Sequence, residues 1–145
     1  MTTRIVVDSS VWIAHFRERN PTLLKLISEN RVLTHELLIG ELRCGTPPNP
    51  RASSLRFFSD LFHMEPVDLD EVLAFVEDEE IYGKGCGLID IAVLVATMRT
   101  PKAKLWSRDK KMERLATLLG IPLMNGDPTS RTERRDELTA ACPTA

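Results

Sequence analysis

Three cysteines occur, Cys44, Cys86 and Cys142, at wide and unrelated spacings. That excludes a dense disulfide framework and a Cys-x-x-Cys metal knuckle, and it fits reduced thiols in a cytoplasmic protein. No apolar run approaches the roughly 20 residues needed to cross a bilayer, and the N-terminus lacks the charged, apolar and small-residue succession of a secretory leader. No membrane role is expected. A large net charge is also missing. Lys and Arg total 19 against 21 Asp and Glu, a net charge of −2 at pH 7, which argues against a protein whose main task is coating nucleic acid. His15, His35 and His63 form no HxxxH pair or triad-like set. No serine lies in a GxSxG context, so acyl transfer has no support. Gly83-Lys-Gly-Cys-Gly87 is not a phosphate loop: it lacks GxxxxGK[ST] and follows a helix-like segment, so it reads as a turn or hinge.

What remains is an ordinary globular chain. Its 145 residues suit one domain, and 43% are hydrophobic, enough for a full core without staples. Short apolar runs alternate with helical patterns. Residues 4–8 read as a buried strand. Ser9 and Ser10 cap a helix beginning near Val11, and Asn20-Pro21 opens another that runs to about Asn30. Residues 31–34 read as a second strand, 35–44 and 52–63 as helices, and 65–67 as a short strand. Asp68 and Glu71 form a capping box for a helix to about Tyr82. Residues 88–99 are helical and strongly apolar, 103–107 form a strand, 110–119 a helix and 121–124 a last strand. Strand and helix alternating in this way predicts an α/β fold with a mostly parallel sheet covered on both faces. Residues 1–125 make the domain, and 126–145 a polar C-terminal tail.

Four acids stand out against this frame. Asp8 closes the first strand, Asp109 follows the strand 103–107, and Glu41 and Asp90 lie in helices at the edges of apolar faces. Open α/β sheets place their ligand crevice beyond the strand ends. Each acid also has a plain structural explanation: Asp8 and Asp109 as helix caps, Asp90 as a complement to a helix dipole, Glu41 as a solvent-facing residue. An ionised carboxylate beside an apolar face is costly unless paired or bound to a metal. A divalent cation shared by several of them removes that cost, and carboxylates suit Mg²⁺ or Mn²⁺. Lys102, Lys104, Arg108, Lys110, Lys111 and Arg114 crowd the segment around Asp109. Arg108 and Lys110 are candidate backbone-phosphate contacts, with a solvated helix face as the plain alternative.

The order of these segments is specific. Asp8-Ser-Ser-Val-Trp-Ile13 is followed by Glu36-Leu-Leu-Ile-Gly-Glu-Leu-Arg-Cys-Gly45, then Gly87-Leu-Ile-Asp-Ile-Ala-Val-Leu-Val-Ala96, then Leu105-Trp-Ser-Arg-Asp-Lys-Lys-Met112. Over residues 4–124 the chain resembles PIN-domain ribonucleases, and most of all the VapC toxins of toxin–antitoxin pairs. Met112 departs from the pattern, where the family commonly has an aromatic. The resemblance implies a three-layer sandwich with helices on both faces of the sheet. It implies Asp8 and Asp90 as metal ligands, Glu41 and Asp109 as the remaining catalytic acids, and Ser9 and Ser107 as supporting residues. It further implies an Mg²⁺-dependent endoribonuclease in which Mn²⁺ can substitute, leaving a 5′-phosphate and a 3′-hydroxyl. A VapB-like antitoxin covering the acidic pocket and a homodimer are implied in the same way.

Three other functions compete. A housekeeping PIN nuclease of RNA maturation or decay would share the same acids, and an antitoxin-like reading frame upstream would separate it from a toxin. A phosphotransferase using Asp8 as nucleophile wants a second acid two residues on, where this chain has Ser10. A non-catalytic interaction domain sits poorly with a complete set of acids.

Overall fold

A computed structural model describes residues 2–124; the tail 126–145 lies outside them. Four parallel strands form one sheet in the order β3-β2-β1-β4. They are β1 Arg4–Val7, β2 Val32–Thr34, β3 Phe62–His63 and β4 Ala103–Trp106. The helices are α1 Ser9–Arg17, α2 Pro21–Ser28, α3 Glu36–Cys44, α4 Arg51–Ser59, α5 Leu69–Asp78, α6 Leu88–Met98 and α7 Lys110–Leu118. The expected α/β architecture is present.

Strand side chains alternate between two faces, and each face builds its own core. Val6, Leu33 and Leu105 pack with α5, α6 and α7 through Val72, Leu94, Met112 and Leu115. Ile5, Val7, Val32 and Trp106 pack on the opposite side with α1, α2 and α4 through Trp12, Leu23 and Phe58. α3 serves both faces, with Leu38 in the first cluster and Ile39 and Leu42 in the second. The result is helix, sheet, helix in three layers. Both tryptophans, Trp12 and Trp106, lie in the core. Met112 is fully buried, so a flexible thioether fills the position where a ring is usual. α6 is buried continuously from Ile91 to Thr97, which is what an all-apolar helix requires. Its N-terminus, carrying Asp90, therefore emerges from the middle of the domain.

Two strand expectations are corrected. Residues 65–67 form no strand. The third strand is Phe62–His63, paired Leu33 to Phe62 and Thr34 to His63, and Met64 N–H adds a bond to Thr34 O at 2.7 Å. Pro66 has no N–H to give such a ladder. Residues 121–124 contribute a single parallel bridge, Leu105 to Leu123, rather than a strand. Helix ends also move. α1 begins at Ser9 because Asp8, not a serine, is its cap. α4 stops at Ser59, and α5 stops at Asp78.

The order β3-β2-β1-β4 means that the chain leaves β1 toward β2 on one side and reaches β4 on the other. The crevice of a doubly wound sheet opens at such a reversal, outside the carboxyl ends of the strands. Here that place lies between the ends of β1 and β4, tied by Asp8 N–H to Trp106 O at 3.0 Å.

Candidate active site

Asp8 is the buried centre of this crevice, 3% exposed. Its Oδ2 caps α1 and accepts from Ser10 Oγ at 2.7 Å, Ser107 Oγ at 3.0 Å and Ser10 N at 3.4 Å. Each serine is itself held from the β4–α7 turn. Arg108 N–H donates to Ser10 Oγ at 3.0 Å, and Asp109 N–H to Ser107 Oγ at 3.0 Å. Two hydroxyl relays thus bolt the turn carrying Asp109 to the carboxylate of Asp8. All of these contacts fall on Oδ2, and none on Oδ1. The sequence reading named Ser107 but gave Ser10 only a capping role; its position two residues past a strand-end Asp, where side chains bond back to the carboxylate, was the available signal.

Glu41 enters from the last turns of α3. Its Oε1 accepts from Ser9 Oγ at 3.1 Å. Burial pushes its pKa up, as do the nearby charges of Asp90 and Asp8, and the Ser9 hydrogen bond offsets this only in part. Asp90 sits at the third position of α6, after the cap Gly87. Burial raises its pKa first, then the charge of Asp8 and, more weakly, that of Asp109. A hydrogen bond from the Gly87 backbone pulls the other way but does not win. The expectation that the helix terminus keeps Asp90 readily ionised meets a stronger opposing cause: half-burial among like charges.

Asp109 is the cap of α7, its Oδ1 accepting from Lys111 N at 2.9 Å and Met112 N at 3.3 Å. It joins the group through Asp90 and through Ser107. Asp8, Glu41 and Asp90 therefore act on one another, with Asp109 at the margin. Lys110 is exposed and lies 3.8 Å from Glu113 on its own helix. Arg108 is half-buried at the turn, fixed through its backbone to Ser10.

A donor set of carboxylates alone, backed by serine hydroxyls, is chemically that of a hard-cation site. No ion pair joins Asp8, Glu41 or Asp90 to a Lys or Arg among the described residues. Nor do three His, Cys, Asp or Glu side chains there already stand in position to enclose an ion.

The PIN domain family model matches residues 5–118. The chain belongs to the PIN-domain family, as a VapC-type ribonuclease. Ribonuclease VapC32 of Mycobacterium tuberculosis, in strains CDC 1551 / Oshkosh and ATCC 25618 / H37Rv, is 33% identical over 119 residues, covering 82% of this chain and 95% of that protein. Among solved structures, PAE2754 of Pyrobaculum aerophilum superposes with a TM-score of 0.52 at 18% identity, covering 83% of this chain and 97% of that one. At that identity the likeness concerns the fold. The PIN family match spans all four acids: Asp8, Glu41, Asp90 and Asp109.

Proposed function

We propose that this PIN-domain chain is a divalent-metal-dependent endoribonuclease and the toxin of a VapBC-type pair. It would hydrolyse RNA phosphodiester bonds at the centre formed by Asp8, Glu41, Asp90 and Asp109. One observation carries the reading. Burial and the charges of neighbouring acids from other segments raise the proton affinity of Glu41 and Asp90 at the topological switch point of the sheet, with no described cation partner. Such an arrangement costs stability unless positive charge is supplied from outside the chain.

Asp8 and Asp90 would hold Mg²⁺ or Mn²⁺, with Glu41 and Asp109 bound directly or through water. A cation held there would supply an activated water and charge stabilisation for the leaving oxygen. The chain's own residues do the positioning. The Ser10 and Ser107 relays fix Asp8 Oδ2 and leave Oδ1 out of those bonds. Ser9 holds Glu41 Oε1, and a carboxyl with raised proton affinity is the better acceptor for a proton of the attacking water. Asp109, fixed by two backbone amides, would help orient that water.

As a toxin the protein acts in the cytoplasm, as a homodimer, against RNA, and is restrained by a small VapB-like antitoxin over the acidic centre. No helix among the described residues is long and apolar enough to cross a membrane. The test is purified protein on total RNA with Mg²⁺, with 5′ ends mapped against an Asp8→Asn control. Discrete 5′-phosphate ends that vanish in the variant and in EDTA are expected. Cleavage indifferent to both would end the reading.

A further inference from the structure

We propose that Lys111, rather than Lys110, is the cation that holds an RNA backbone phosphate at the rim of the acidic centre; this rests on the nuclease reading above. The turn Gly83–Gly87 leads directly into α6 and Asp90. Gly85 in it has φ +89°, a conformation that favours glycine, and a methyl group there would come within 2.7 Å of Lys111 Cδ and 3.4 Å of its Cγ and Cε. The aliphatic stem of Lys111 thus lies along the bare Gly85 backbone. Its own backbone is fixed as well, since Lys111 N–H bonds to Asp109 Oδ1 at 2.9 Å. The backbone and the stem of Lys111 are thus both placed.

The position is the right one for a polyanion. Asp90, Asp109, Lys111 and Arg114 all act on the Cys86 thiol, the acids in one direction and the cations in the other, so the two cations border the same small region as the two acids. Lys111 and Arg114 are three residues apart and share a face of α7. Lys111 is exposed and has no ion pair among the described residues, whereas Lys110 lies 3.8 Å from Glu113. An acid-lined centre repels RNA, and an uncommitted ammonium on an anchored stem beside it lets the strand settle there. A contact of this kind positions the backbone and carries no base preference.

Binding of a fluorescein-labelled single-stranded RNA is measured by anisotropy in EDTA across a salt series, with cleavage in Mg²⁺ assayed in parallel. Lys111→Gln is expected to weaken binding about fivefold near 0.1 M salt and to lower the slope of log affinity against log salt by about 0.7, one phosphate contact on a single strand. Lys111→Arg should restore both, and Lys110→Gln should change neither. Wild-type protein that cleaves RNA, with a slope unaltered by Lys111→Gln, overturns the assignment and leaves the nuclease standing. A Lys111-dependent slope in a protein that cleaves nothing upholds the contact and refutes the nuclease. A protein that neither binds nor cleaves refutes both.

Discussion

Replacing Asp90 with Asn should stabilise the metal-free protein while abolishing cleavage. The Asp90 carboxyl is held above its ordinary value by burial, then by the charges of Asp8 and Asp109. A carboxyl in that condition binds its proton more tightly folded than unfolded. Its contribution to stability is complete below the unfolded pKa and is lost as pH rises through the raised folded one. At pH 7 the ionised group therefore works against the fold. Asn has nearly the same size, keeps an oxygen for the Gly87 backbone, and removes the charge. Because Asp90 is only half-buried, screening reduces the gain to about 0.5–1 kcal/mol, or about 1–4 °C in Tm for a chain of this length. Calorimetric melts in EDTA at pH 7 should show that increase, and the difference from wild type should shrink toward pH 4. Added Mg²⁺ should reverse the order. A ligand at a hundred times its Kd stabilises the folded state by about 2.7 kcal/mol, and wild type gains this while the variant gains little. A variant that melts below wild type in EDTA at pH 7 would refute the account of mutual repulsion. A wild-type Tm indifferent to Mg²⁺ would refute the cation site.

Ser107→Ala removes one donor to Asp8 Oδ2 and the acceptor for Asp109 N–H, both at 3.0 Å. Stranding buried polar groups should cost about 1–3 kcal/mol, read by urea titration, with a fall in cleavage rate at unchanged RNA affinity. Asp109→Ala removes the α7 cap and should cost about 0.5–2 kcal/mol; Asp109→Asn should recover that stability in the same titration without recovering activity. His35, fully buried, caps α3 through Nδ1, which accepts from Leu37 N–H at 3.0 Å. Burial depresses its pKa against the opposing influence of Glu36 and the Glu65 backbone, with His63 adding to the depression. Its contribution to stability is therefore complete above the ordinary histidine value and is lost as pH falls through the lowered one. His35→Asn, which can still cap but cannot titrate, should flatten the fall in unfolding free energy between pH 7.5 and 5; an unchanged slope would show that His35 is not its source.

The features legible in the sequence are those set by neighbours along the chain. Asn20-Pro21 opens α2 with an Asn side-chain cap, and Asp68 with Glu71 forms a complete capping box. The apolar run Ile91–Ala96 marks the central helix before any contact is known. The misplaced third strand shows the opposite case. Phe62 and His63 are exposed and lack a period-2 pattern, and they become a strand only by pairing with Leu33 and Thr34. Arg4, from the far end of the chain, lies 4.4 Å over the Phe62 ring. No local signal encodes such an edge strand.

The same division runs through the site. Asp8 and Asp109 are visible as acids after strands because the role that exposes them to a reader is the capping role they in fact perform. What the sequence conceals is the separation of tasks within one carboxylate. Asp8 Oδ2 is spent on Ser10 and Ser107, and through them on the turn one hundred residues away; Oδ1 takes none of these bonds. The fold uses one oxygen and leaves the other to the chemistry. Substitution at Asp8 must then disturb stability and cleavage together, whereas Asp90, whose one bond to the Gly87 backbone an Asn can keep and which is crowded by like charge, should trade one for the other. The sign of the stability change at these two positions distinguishes an acid kept for architecture and catalysis from one kept for catalysis alone.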